Sequence, residues 1–409
     1  MKEIIYKAYR FRLYPTDEQQ MLIEKHFGCS RFVFNYFLSF KDNQFKSTGQ
    51  SDNYVKLASR LKDLKSDEEH SWLKEVNSQS LQASLKHLDN AYLRFFRKES
   101  KFPKFKAKYD NQSFSVPQNV RIERKHYLSI PKFKEGIRFK KSQEVKGIIC
   151  SATISKTKTN KYFVSILTEQ QNGYSYVKTN KEVGIDLGIK DFVITSDEVK
   201  YSNPKYMKKY RNKLKKYQKI LSKKKNESHR KDKFRLKVAS IHEKIANSRE
   251  DFQHKLSNEL LNEYDLICVE SLSVKNMMKN HKLAQAIGDA SWYSFISKLK
   301  YKANWRGKTI VQIDQYYPSS KTCSNCNYKM NEMSLDVREW NCPKCGHHHD
   351  RDINAAKNIL AFGKALIANS DGTSEYSHGD SVKLKITPHK SIKSGINEVI
   401  KVQVDEIFN

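Results

Sequence analysis

Apolar and polar positions change period several times along the 409-residue chain, and each change predicts an element. Residues 7–13 alternate as a strand does, and Pro15 ends the run. From Thr16 to about Arg97 the spacing is helical. Thr16 followed by Gln19 fits a capping box, and Leu81, Leu85, Leu88, Tyr92 and Phe95 recur at three and four, as on a helix with one buried face. Residues 101–108 break that helix with an extended segment in which Phe and Lys are interleaved. Residues 113–169 read as β, with a turn at Lys158, Thr159 and Asn160, and residues 170–180 as a polar linker. Residues 183–194 look like a buried strand, a tight turn and a second strand. Residues 264–270 form a buried strand ending in an acid. A helix over 291–305, a strand over 309–313 and a helix from Asp352 to about Ile367 complete the pattern, with no internal repeat.

Length and charge sharpen this picture. The chain exceeds the usual ~100–200 residues of one domain, which predicts two to four folding units in a multi-domain α/β protein. No run of 18 or more residues is apolar, and the first residues lack a signal peptide's apolar stretch. No membrane partner is therefore expected, and the protein should be cytoplasmic, associated with the nucleoid when bound to DNA. Against 45 Asp+Glu stand 76 Lys+Arg, a net charge of +31 that repels itself unless a polyanion relieves it. Residues 200–250 hold 19 Lys+Arg and 4 Asp+Glu, a net of +15. Leu214, Tyr217, Ile220 and Leu221, then Phe234, Leu236, Val238 and Ile241, fit two basic helices joined near Asn226, Glu227 and Ser228. We read this region as a phosphate-binding surface that includes Lys223, Lys224, Lys225, Arg230 and Arg249; a solvated charged face is the alternative. Past Asn369 there are 5 Lys and 6 acids, so the basic excess is gone and a poorly ordered tail is expected.

Two constellations carry chemistry. Cys323, Cys326, Cys342 and Cys345 form two CxxC pairs fifteen residues apart, among seven cysteines in all. Each CxxC turn aims two thiolates at one point, and two turns complete a tetrahedron for one structural Zn²⁺ with no open position. His347, His348 and His349 are rival ligands. The second constellation is Asp186 in an apolar strand, Glu270 at the end of another, and Asp352 at the start of a helix. Singly these are a paired core acid, a strand-end acid and an N-cap. Burying a lone carboxylate costs several kcal/mol unless a cation faces it. Together, in so basic a chain, they suggest acids converging on two Mg²⁺ (or Mn²⁺) ions for phosphodiester hydrolysis.

The order strand–hairpin Asp, strand Glu, helix Asp is the plan of ribonuclease-H-like nucleases. The chain further resembles the TnpB family of transposon-encoded, RNA-guided DNA endonucleases, relatives of the compact type V CRISPR effectors. The resemblance rests on residues 184–188 around Asp186, on 247–252 with 254–257, and on 269–272 around Glu270. It rests also on 318–326, on Cys342 to Gly346, and on Arg351, Asp352, Asn354, Ala355, Ala356, Asn358 and Ile359. Residues 9–15 and 102–106 fit as well. It implies a RuvC-like nuclease domain (179–318 and 349–370) with Asp186, Glu270 and Asp352 as catalytic metal ligands. A zinc ribbon (319–348) is inserted before the last acid; Asn327 replaces a frequent Gly there, and Asp350 is a reserve acid. It implies an N-terminal β-barrel wedge domain (1–14 and 109–178) interrupted by a helical recognition domain (15–108), followed by a tail (371–409). It implies a guide RNA derived from the transposon end, one protein chain per RNA, and target double-stranded DNA with a short motif read by protein. Lys56, Gln79, Gln82, Gln118 and Asn119 are the candidates for that reading. A silent RNA-guided DNA-binding repressor and a strand-joining transposase are the alternative functions.

Overall fold

The computed structural model describes residues 4–173, 178–334 and 336–370. The tail expected at 371–409 lies outside the described residues. The chain divides near residue 172 into two compact units.

In the first unit, β1 (Ile4–Leu13) runs into α1 (Asp17–Thr48), α2 (Tyr54–Ser66), a 3-10 turn (Ser71–Glu75) and α3 (Ser78–Phe96). Thr16 and Gln19 make the capping box read from the sequence, and Gly49 closes α1 at φ +67°. Strands β2 (Gln112–Val116), β3 (Arg121–Glu123), β4 (Tyr127–Ile130), β5 (Phe133–Lys140), β6 (Ile148–Lys156) and β7 (Tyr162–Gln171) follow. They join β1 in one antiparallel sheet of order β2-β6-β7-β1-β5-β4-β3. Phe114 of β2 and Leu128 of β4, from opposite ends of that order, bury into one core with Tyr9, Phe11 and Phe139. Among the described residues β2 and β3, the two ends of that order, contribute to one core without pairing as strands. The helices pack a separate core around Phe37, Leu57, Leu73, Leu81 and Leu88.

The second unit holds a five-stranded mixed sheet of order β10-β9-β8-β11-β12. Its strands are β8 (Glu182–Asp186), β9 (Asp191–Thr195), β10 (Lys200–Ser202), β11 (Leu266–Glu270) and β12 (Thr309–Ile313). Between β10 and β11 stand α4 (Tyr206–Ser222) and α5 (His229–Glu263), the basic helix pair. α5 continues well past its basic half, and Leu256, Leu260 and Leu261 bury against the sheet. After β11 come α6 (Val274–Met277), α7 (His281–Ala290) and α8 (Trp292–Trp305). A two-stranded sheet of β13 (Glu339–Asn341) and β14 (His348–Asp350) precedes α9 (Arg351–Ser370). β10, α6 and α7 have no counterpart in the sequence reading, being too short to establish a period.

α9 lies unusually close to the sheet, and glycines permit it. A Cβ at Gly184 of β8 would collide with the Ala356 carbonyl and come within 2.7 Å of the Leu360 nitrogen. A Cβ at Gly363 of α9 would strike Cys268 of β11. Two strand positions further on, the same face carries Asp186 and Glu270.

Candidate metal centres and nucleic-acid surfaces

The parallel register pairs Val183 with Ile267 and Ile185 with Val269. One residue further, β8 and β11 end together in Asp186 and Glu270, whose side chains leave on the face that α9 covers. Asp352 stands in the first turn of α9. Burial, then repulsion from Asp352, raises the Asp186 carboxyl to about 7. Burial, then repulsion from Asp186, raises Glu270 to about 7. Asp186 therefore feels both other acids, and among the described residues no ion pair reaches Asp186 or Glu270. Arg351 offsets the Asp186 shift only in part, and Arg338 reaches Asp352 at 3.9 Å while being largely exposed.

The capping role considered for Asp352 belongs instead to Asp350. Its Oδ1 accepts the backbone N–H groups of Asp352 at 3.0 Å and Ile353 at 3.1 Å, and its other oxygen pairs with Lys200 at 2.5 Å. Asp350 is thus occupied twice over, and Asp352 is left as the acid facing Asp186. The three acids are not packed as ligands of a single ion. Among the described residues, the groups whose donor atoms all lie within 4.8 Å are the four cysteines and Asp67, Glu69 and His70. Carboxylates straddling two ions ~3.5–4 Å apart span more than one coordination shell, so a looser triad fits that chemistry. The Asp67 group is an exposed turn after α2 in which His70 pairs with Asp67 at 2.8 Å, ordinary surface geometry.

The sulfurs of Cys323, Cys326, Cys342 and Cys345 converge, with Cys323–Cys345 at 3.7 Å and Cys326–Cys342 at 3.5 Å. Tetrahedral Zn–S bonds of ~2.3 Å place sulfurs about 3.8 Å apart, so the donor set fits zinc. Backbone N–H from His347 and the Asn325 amide hold the Cys345 thiolate and bring it to about 6. Asn327 takes φ +58°, the left-handed turn expected where a Gly is frequent and one that Asn tolerates. Of the rival histidines, buried His349 packs at a tilt against Trp340 and places Nε2 3.0 Å from the Cys323 sulfur, beside the four thiols.

α9 is bonded to the first cysteine knuckle through Asn354 and Asn358, a link missed at the level of residue roles. Asn354 accepts the Ser324 N–H at 2.9 Å and donates to the Thr322 carbonyl at 2.8 Å. Asn358 donates to the Ser319 and Thr322 carbonyls at 2.7 and 2.6 Å. Two buried asparagines one turn apart on an otherwise apolar face were the available signal.

The nucleic-acid candidates separate. Lys223, Lys225 and Arg230 are exposed at the α4–α5 junction, while Lys224 lies 5.9 Å over the Phe234 ring. Arg249 is different: it is half-buried and ion-paired to Asp289 at 3.1 Å. Asp289 also accepts the Met207 N–H, so this pair ties α4, α5 and α7 together. In the first unit the Gln79 amide donates to Gln118 at 3.0 Å, with Gln82 and Asn119 exposed and Asn119 at φ +59°. Lys56 is exposed and 3.9 Å from Asp52. No described helix is long and apolar enough to cross a membrane.

An acid-edged mixed sheet and a four-cysteine knuckle make the second unit an α/β fold with a metal-type cysteine cluster. Residues 292–359 match the Cas12f1-like TNB domain, 165–281 a family described as "Probable transposase", and 1–50 a helix-turn-helix domain of the same transposon proteins. A Streptomyces pristinaespiralis protein named "Putative RNA-guided DNA endonuclease" is 38% identical over 375 residues, 91% of this chain and 93% of that one. An Escherichia coli K12 protein of the same description is 32% identical over 378 residues, 88% and 93% of the two chains. The chain belongs to the TnpB family of IS605-type transposons. In fold it is similar to Cas12f1 as solved in a Cas12f1–sgRNA–target DNA complex, with TM-score 0.54 at 12% identity over 87% of this chain and 99% of that one.

Proposed function

We propose that this protein is an RNA-guided, Mg²⁺-dependent DNA endonuclease, with Asp186, Glu270 and Asp352 as its catalytic metal ligands. The observation that carries the reading is electrostatic. Burial, reinforced by repulsion among the strand-end and helix-start acids, lifts Asp186 and Glu270 to about 7. A fold that keeps such a group without a neutralising side chain is built for a cation supplied from solution. Two Mg²⁺ ions held there would activate a water and stabilise the leaving oxygen of a phosphodiester. Asp186, which is coupled to both other acids, would hold the ions together with Glu270 and Asp352, and Asp350 with Lys200 fixes the helix start that carries Asp352. The RuvC-like assignment of the second unit, with 319–348 as its zinc ribbon and 1–178 as wedge and recognition domains, belongs to this reading. So do a guide RNA from the transposon end, one chain per RNA, and Gln79 with Gln118 near the DNA motif.

The test is cleavage of a matched duplex by the purified protein with its RNA, comparing Asp186→Ala with the parent. Loss of cutting with RNA binding retained supports the reading. Guided occupancy without cuts by the parent chain would favour the silent repressor instead.

A further inference from the structure

The segment that follows α3 is the feature the proposed nuclease does not yet use. Residues 94–108 hold seven basic residues and one acid, Glu99, interleaved with Phe95, Phe96, Phe102 and Phe105, and Tyr109 comes next. Three of these rings stand in solvent: Phe96 is 72% exposed, Phe105 63% and Tyr109 83%. Contiguous apolar exposure of this kind is uncommon on a soluble surface unless something covers it. The ammonium groups of Lys98, Lys101, Lys104 and Lys108 meet no carboxylate among the described residues.

The segment is also held in shape. Asn35 of α1 bonds the Lys106 backbone on both sides, accepting its N–H at 2.8 Å and donating to its carbonyl at 2.9 Å. Asp110 accepts the Ala107 N–H at 2.7 Å. Phe95 packs against Phe96 and Phe102, each at 5.4 Å, fixing the rings at the end of α3. A pinned backbone presents aromatic faces and free cations at little further entropic cost.

We propose that residues 96–109 are a stacking platform for an unpaired stretch of RNA. Flat rings take the exposed faces of bases, and the lysines between them follow the phosphates, the pairing by which single strands are bound without sequence preference. A protein partner is disfavoured because interface cores are depleted in Lys, which here falls at every second or third position. A membrane surface needs its apolar and basic residues on opposite faces, and here they alternate. A duplex hides its base faces in its own stack, so the occupant is single-stranded. The resident partner suits a permanently exposed aromatic patch better than a transient one, which selects RNA over target DNA. This last step rests on the guided-nuclease reading.

The full chain would be incubated with a uridine oligonucleotide carrying one 5-iodouridine, which photocrosslinks to a ring stacked on it, and the crosslinked peptides sequenced. Crosslinks should fall in the peptide holding Phe96, Phe105 and Tyr109. The triple variant Phe96→Ala/Phe105→Ala/Tyr109→Ala should lose them and bind the single strand about tenfold or more weakly, with duplex RNA of the same length little affected. Tyr109→Ala alone, at the most exposed ring, gives a smaller loss in the same direction should the triple variant fold poorly. Unchanged single-strand affinity, equal loss for duplex and single strand, or crosslinks only elsewhere overturns the platform. Tighter binding of the deoxyuridine oligonucleotide overturns the choice of RNA. The probe carries neither guide nor target. A chain that keeps ring-dependent binding but cuts no guided duplex therefore refutes the nuclease and leaves the platform standing.

Discussion

Asn354 accepts the backbone N–H of Ser324 at 2.9 Å, reaching from the helix that carries Asp352 to the knuckle that carries Cys323 and Cys326. Only Ile353 separates Asn354 from Asp352, so the zinc-type knuckle and the last acid share one rigid joint. Asn354 and Asn358 are both buried, at 1% and 3% exposure. Removing either leaves buried backbone groups unpaired, at about 1–3 kcal/mol each. Asn354→Ala should therefore lower the melting temperature and slow DNA cleavage at least several-fold, with zinc content unchanged by elemental analysis. Cleavage at the parental rate would mean that the joint does not position Asp352.

The raised carboxyls make a signed prediction about pH. Asp186 and Glu270 titrate near 7 in the folded, metal-free protein and near 4 when unfolded. Such groups favour the folded state most below about pH 4, and that contribution is lost as pH rises through 7. Asp186→Asn should consequently raise the metal-free melting temperature more at pH 8 than at pH 5. Mg²⁺ should stabilise the parent at pH 8 and much less at pH 5, where protons compete for the same oxygens. Equal effects of the substitution at both pH values would show that the Asp186 carboxyl is not raised in the folded protein.

How far the sequence foretold this structure depends on whether a residue's signal is local. The Thr16 box, the strand ends at Asp186 and Glu270 and the CxxC knuckles are each written within a few residues, and each stands where the pattern put it. The capping alternative weighed for Asp352 falls on Asp350, two residues earlier. A carboxylate at 350 and another at 352 are equally good caps on paper, and only the Lys200 contact shows which is occupied. The Arg249 ion pair was illegible for the same reason, since its partner Asp289 is forty residues away. The strand order from β2 to β3 depends on how a whole sheet coils, which no window of sequence contains.

Gly184 offers a steric test of the helix–sheet contact. Its hydrogen faces the Ala356 carbonyl and the Leu360 backbone, neither of which can swing aside as a side chain would. Gly184→Ala should push α9, and with it Asp352, away from Asp186. A destabilisation of about 1–3 kcal/mol is expected from overpacking alone. Cleavage should fall further than stability does, because the acids separate. Thermal melts and single-turnover rates compared side by side would check this, and a stable variant of full activity would mean that α9 does not set the spacing of the acids.

The basic junction of α4 and α5 can be separated from a merely solvated face by salt. Aromatic rings beneath it hold several lysines outward: Lys237 sits 4.8 Å over Phe234 and Lys244 5.4 Å over Tyr210. Lys223, Lys225 and Arg230 extend from this base into solvent. Each phosphate neutralised releases a counterion, contributing about 0.7 to 0.9 to the slope of log K against log salt. Changing those three to Gln keeps their stems and removes three charges. The slope for RNA binding should become shallower by about 2 to 2.7 if all three meet phosphates. The melting temperature should hold, since none of the three is buried. A slope unchanged within error would assign the charge to solvent and move the phosphate contacts to another surface.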